Sequence, residues 1–75
     1  MVILSERINK LLQENKITMY KLAKDLHYSK ATITNWCYGL TEPRATEIVR
    51  LAIYFNVSTD YLLGLETETG EKIQH

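Results

Sequence analysis

Between Thr18 and Gly39 lie two short apolar-periodic segments, each opened by a hydroxyl residue and separated by a turn of about three residues. No other part of the chain narrows the possible folds as far. A connection so short brings the two segments directly against each other at a sharp corner.

The first segment starts at Thr18, whose side-chain oxygen can accept from a free amide at a helix start. Leu22, Ala23 and Leu26 then form one narrow apolar stripe, and the polar side carries Lys21, Lys24 and Asp25. Ala23 is the smallest residue on the stripe, as a close helix crossing requires. The turn falls at His27 and Tyr28. A reversal this tight needs a residue at positive φ, where histidine is among the tolerated non-glycine residues, so His27 reads as a turn residue and not as chemistry. Ser29 caps the second segment. At 100° per residue Ile33, Trp36 and Cys37 share one side. Lys30, Ala31, Thr34, Asn35 and Tyr38 fall on the other, with Thr32 at the boundary. Gly39 stands where a left-handed C-terminal cap belongs. The whole is the pattern of a helix-turn-helix.

The outer face of the second helix suits the edges of DNA bases. Asparagine pairs bidentately with adenine, threonine hydrogen-bonds or packs on the thymine methyl, alanine packs on that methyl, and lysine donates to guanine or phosphate. A helix facing only solvent would more often carry Glu and Lys, since Thr and Asn favour helix less.

The flanking sequence supplies three more helices. Leu4, Ile8, Leu11 and Leu12 repeat on one face, predicting a helix from about Leu4 to Asn15, with Ser5 as a possible later cap. Pro43 suits the first turn of a fourth helix, whose buried stripe is Ile48, Leu51, Ala52 and Phe55 and which ends at Asn56. Ser58 caps a short fifth helix, with Asp60 in its first turn. The fold class expected is therefore all-α, a compact bundle of five short helices over residues 1–65. Residues 66–75, interrupted by Gly70, read as a flexible polar tail.

In this order and at these spacings the residues resemble the lambda-repressor-like (Cro/CI-type, XRE) helix-turn-helix family. The resemblance rests on Ile8, Leu11 and Leu12, then Thr18 with Leu22 and Ala23, Ser29 with Ile33, Gly39 and Pro43. It continues through Phe55, Asn56, Val57 and Ser58 to Asp60, Tyr61, Leu62, Leu63 and Gly64. It implies a DNA-binding transcription regulator, a repressor acting as a homodimer on a near-palindromic double-stranded operator. Carried over by position, Lys30, Ala31, Thr34 and Asn35 would contact bases. Thr18, Met19, Lys21, Lys24, Ser29, Thr32, Tyr38, Thr41 and Arg44 would contact the DNA backbone. The fourth- and fifth-helix region implies a dimer patch at Val49, Ile53, Tyr54, Tyr61 and Leu65, although apolar residues of the short fifth helix could equally close the core.

The chain departs from the family pattern at Met19, where glutamine is common and where methionine offers only its backbone amide. His27 replaces the turn glycine, Cys37 and Tyr38 replace Glu-Asn, and Leu40 replaces a cation. These changes motivate an alternative, a protein-binding module on the same fold: an antirepressor, an antitoxin-like partner or an oligomerisation unit.

Composition bounds the rest. Formal net charge is zero, yet residues 1–50 hold eight lysines and arginines against five acids. Residues 51–75 hold Lys72 against four acids, a +3 half and a −3 end. The single Cys37 forms no internal disulfide and suits a reducing cytoplasm. No run approaches a membrane span and no signal-peptide pattern follows Met1. Catalysis is not expected, because Cys37 and His27 have no orienting acid at a sensible spacing. His27, His75 and Cys37 lack zinc-ligand spacing, so no metal or cofactor is expected. No small-molecule effector site is evident, and regulation is expected from a partner, from proteolysis or from concentration.

Overall fold

The computed structural model describes residues 1–67, 69 and 71–73; Gly70 and His75, weighed above as a tail interruption and a metal ligand, lie outside them. Among the described residues are five helices: α1 (Val2–Glu14), α2 (Met19–Leu26), α3 (Lys30–Cys37), α4 (Ala45–Phe55) and α5 (Thr59–Leu62). The chain is all-α, as expected, and divides into two compact units, residues 1–42 and residues 43–75.

In the first unit α3 packs against both α1 and α2. The side chains of Ile8, Leu22 and Ile33 are fully buried, and Leu4, Leu11, Leu12, Ala23, Leu26, Trp36 and Cys37 are nearly so. These are the stripes that the 3.6-residue period assigned to the core. Tyr28 stands edge-on to Trp36, with ring centroids 5.2 Å apart, an arrangement that aromatic quadrupoles favour. The helix starts follow the hydroxyl residues. Thr18 Oγ1 accepts from the Lys21 amide at 3.0 Å, and Ser29 Oγ accepts from the Thr32 amide at 3.1 Å. α1 begins earlier than expected, at Val2, because Ser5 is already helical and its hydroxyl donates to the Val2 carbonyl instead of capping.

Every helix ends by the same device. A left-handed residue (Lys16, His27, Gly39, Asn56, Gly64) follows the last turn. The next amide then bonds back five residues: Ile17 to Leu12, Tyr28 to Ala23, Leu40 to Asn35, Val57 to Ala52 and Leu65 to Asp60. This six-to-one bond is that of the Schellman motif, and the residue that makes it is apolar or aromatic each time. Only two of the five left-handed positions hold glycine.

In the second unit α4 packs on α5, and Leu51, Ala52, Phe55, Tyr61 and Leu62 are buried. Three expectations change here. Pro43 is not in the first turn of α4: it precedes the N-cap, which falls on Arg44. The reason is that the Glu47 carboxylate accepts from the Arg44 amide at 2.7 Å, and proline has no amide to offer. Ile48 is half-buried, not fully buried. Tyr61, expected in a dimer patch, is only 7% exposed and belongs to the core.

The segment expected as a flexible polar tail makes specific contacts in its described part. Glu66 and Lys72 form an antiparallel bridge, with Thr67 N–H donating to the Glu71 carbonyl at 2.7 Å and Ile73 N–H to the Leu65 carbonyl at 2.8 Å. Glu66 is buried at 9% exposure. Its carboxylate accepts from the hydroxyl of the α5 cap Ser58 at 2.5 Å and from Lys72 Nζ at 2.9 Å, while Lys72 also pairs with Asp60. Ser58 Oγ meanwhile accepts from the Tyr61 amide at 2.9 Å, so one hydroxyl caps α5 and anchors the returning chain.

Two predictions follow from these features. The Ser58 and Lys72 hydrogen bonds hold the Glu66 carboxyl below its usual 4.5, and the Asp60 and Glu66 bonds hold Lys72 above its usual 10.5. Glu66 therefore contributes stability above the ordinary carboxylate range, lost as pH falls through its depressed folded-state value. Lys72 contributes below the ordinary lysine range and loses its contribution as pH rises through its elevated value. In carbon-detected NMR titrations the Glu66 midpoint should lie below the ordinary range, and Lys72→Met should raise it. The Thr67 and Ile73 amides should lose protection in the same acid step. Separately, His27→Gly should stabilise the protein by about 0.5–1 kcal/mol, because a left-handed side chain costs about 1–2 kcal/mol and glycine gives back part of that in the unfolded chain. A thermal midpoint unchanged or lowered in His27→Gly would contradict this account of the turn.

Candidate nucleic-acid interface

The candidate surface is built on α3, and its inner side decides its outer one. With Ile33, Trp36 and Cys37 buried against the first unit, Lys30, Ala31 and Tyr38 are left exposed. Thr34 and Asn35 are half-buried at the edges of that strip, as is Thr32. Two polar contacts hold the ends of the helix. The Thr32 hydroxyl lies 2.8 Å from Ser29 Oγ, so it is engaged at the N-cap and less available than expected for a phosphate. At the other end Asn9 Nδ2 of α1 donates to the Cys37 carbonyl at 2.7 Å, and to Ser5 at 2.9 Å. Asn9 was not singled out above; an exposed asparagine beside an apolar stripe carries no signal that it reaches a neighbouring helix end.

The Asn35 carbonyl accepts from both the Leu40 and Thr41 amides, which fixes the loop after α3 while the Asn35 side-chain amide has no partner among the described residues. Gly39 is required for its φ of 72° rather than for space, since an added Cβ would meet Ser5 Oγ at an ordinary 3.6 Å. Leu40 is 71% exposed beside Tyr38.

The remaining expected positions divide. Thr18, Lys21, Lys24, Ser29 and Thr41 are exposed in the first unit. Lys21 pairs with Asp25 at 3.1 Å, one turn on, so part of its charge is answered locally. Lys24 and Lys30 have no ion-pair partner among the described residues. The expectation for Met19 is corrected: beyond its backbone amide, its thioether accepts from the Thr34 hydroxyl at 3.8 Å, joining the start of α2 to the middle of α3. Arg44 is exposed as the N-cap residue of α4, in the second unit. Arg7, counted in the basic half, is buried and adds nothing to an exposed cationic face.

Burial pushes the Cys37 thiol up to about 11, which leaves it protonated at neutral pH and a poor nucleophile. No group of three or more potential metal ligands occurs among the described residues. No helix among them is long and apolar enough to cross a membrane.

In the second unit Ala45, Ile48, Val49, Thr59 and Leu63 line a shallow apolar groove. Beside it on the sequence, Ile53 is 74% exposed, and Val49 and Leu65 are exposed to a lesser degree. Tyr54 is half-buried and stacks edge-on against Phe55.

A capped helix, a left-handed turn, and a second capped helix with its apolar side inward define the helix-turn-helix class. A helix-turn-helix family model matches residues 8–62, and the chain belongs to that family, the XRE-type group of regulators. It is 29% identical over 69 residues to an uncharacterized HTH-type transcriptional regulator of Bacillus subtilis (strain 168), YobD, the match covering 92% of this chain and 62% of that protein. Among solved structures, a transcriptional regulator from Listeria innocua superposes with a TM-score of 0.78 at 29% identity, covering 87% of this chain and 61% of that one. The SOS-response transcriptional repressor LexA from Eubacterium rectale superposes with a TM-score of 0.77 at 30% identity, covering 99% and 87%. The chain thus spans less than two thirds of the length of the Bacillus and Listeria proteins.

Proposed function

We propose that this chain is a sequence-specific DNA-binding transcriptional regulator, a repressor that acts as a homodimer on a near-palindromic operator in the cytoplasm. The observation that carries the reading is the two-sidedness of α3. Its isoleucine and indole are buried, and its lysine, alanine, threonine and asparagine are turned to the edges and the outside. In this reading α3 enters the major groove, where Asn35 and Thr34 meet base edges and Ala31 packs on a thymine methyl. Lys24, Lys30 and Arg44 meet phosphates, with Lys21 contributing less because of Asp25. The Met19 amide, first in α2 and without an intrahelical acceptor, suits a phosphate oxygen.

The homodimer is supported by the groove between α4 and α5 and by exposed Val49, Ile53 and Leu65, which have no polar role. Tyr61 is withdrawn from that surface because it is buried. A protein-binding role is favoured by one observation, the exposure of Tyr38 and Leu40 at the end of α3. Selection of sites from random duplex DNA separates the two: enrichment of a two-fold motif supports the regulator, and no enrichment with a co-purifying protein supports the module.

If about three phosphates are neutralised per subunit, the log affinity of the dimer should fall with log salt at a slope near −5. Fluorescence anisotropy on the selected site between low and physiological salt measures it, and a flat response is incompatible with the proposal. Asn35→Ala should cost about 1–3 kcal/mol on the selected site and blunt preference at one base position. Unchanged discrimination by Asn35→Ala in competition binding would remove this residue from the reading set.

A further inference from the structure

We infer that Met19 determines which bases Thr34 can read, by accepting the hydrogen bond of the Thr34 hydroxyl and leaving that side chain to act as an acceptor. The inference rests on the reading of α3 as the groove-entering helix.

A threonine inside a helix splits between rotamers that turn its hydroxyl outward or to the carbonyl one turn back. Thr34 Oγ1 instead lies 3.8 Å from Met19 Sδ, within the range for a bond to sulfur, and donates to it. Both partners are held in place. Met19 is the first residue of α2, whose start is pinned by the Thr18 cap at 3.0 Å, and α2 packs directly on α3. Both side chains are half-buried, so water competes for this contact less than at an open surface. A thioether has no proton to return; it can only accept.

A hydroxyl has one hydrogen and two lone pairs. With the hydrogen directed at sulfur, Thr34 presents only lone pairs to whatever approaches α3. In the major groove the groups that can donate to it are the exocyclic amines of adenine and cytosine, whereas the guanine O6 and N7 and thymine O4 are acceptors. Met19 is thus a positioning residue and Thr34 a selector for amino-bearing bases.

The test uses the full chain and four forms: wild type, Met19→Leu, Thr34→Val and the double variant. Leucine conserves volume, so the fold should persist. In selections from random duplex DNA the wild type should prefer A or C over G or T at one half-site position by about two- to tenfold. Met19→Leu should weaken that preference, as the hydroxyl is freed to turn outward in part of the molecules, while leaving the other positions unchanged. Thr34→Val should abolish it, and adding Met19→Leu to Thr34→Val should change nothing more. Without DNA, three-bond couplings should report a single Thr34 χ1 rotamer in the wild type and averaging in Met19→Leu.

A wild type with averaged χ1 overturns the inference, as does DNA-bound Met19→Leu with undiminished preference for amino-bearing bases. Additive effects of the two substitutions overturn it as well. A wild type that selects no DNA site overturns the proposed function and this inference together. Failure at the Thr34 position alone, with an operator still selected, overturns only this one.

Discussion

The burial of one side of α3 is the interaction on which the rest depends. Ile33 and Trp36 are held in the first unit by α1 and α2, and removing side chains of this size from water contributes roughly 1.5–3 kcal/mol each. For a chain of 75 residues, whose total stability is on the order of 5–15 kcal/mol, that is a large share. Rotation of α3 about its axis would therefore expose an indole, and this is why its outer residues have a defined direction. The helix is short, so the cap at Ser29 and the bond from Asn9 to the Cys37 carbonyl add to packing by fixing its two ends, each worth about 1 kcal/mol. Both ends are tied before any ligand arrives, a form of preorganisation that lowers the cost of binding.

The repeated helix exit is the second organising element. Each of the five helices among the described residues ends at one left-handed residue and one five-back hydrogen bond. The apolar residue that follows the turn is partly buried after α1, α2 and α4 (Ile17, Tyr28 and Val57) and exposed after α3 and α5 (Leu40 and Leu65). Tyr28 packs edge-on against Trp36, which links the corner of the motif to the anchoring of α3. Two of these exits carry Lys16 and His27, residues for which the conformation is costly. That cost is borne by the packing around them.

At the acidic C-terminal end, the charges that look like a solvated tail in composition are used locally. Lys72 meets Asp60 and Glu66, and Glu66 reaches the cap of α5. The opposed charge halves of the chain thus have different physical meanings. Lys24 and Lys30 stand without ion-pair partners among the described residues, whereas the one lysine of the C-terminal end is neutralised by its neighbours.

How much of this was legible beforehand differs by kind. The helices α2 and α3, their hydroxyl caps, the left-handed turn at His27, the glycine exit at Gly39 and the buried triad of Ile33, Trp36 and Cys37 could all be read from the chain. Each depends on residues within one or two turns of each other, and local sterics and period carry that information. The contacts that needed the fold are those between residues on different elements, Met19 with Thr34 and Asn9 with Cys37, and those made where the chain folds back on the α5 cap, Glu66 with Ser58 and Lys72. The same is true of the burial of Tyr61, because α5 is too short to show a period; Arg7 does fall on the α1 stripe of Leu4, Ile8 and Leu11, but a charged residue type there carries no mark of burial. Local order was written in the sequence. Which polar groups meet was decided only when packing brought distant turns together, since a hydrogen bond depends on a few tenths of an ångström that no pattern of residue types encodes.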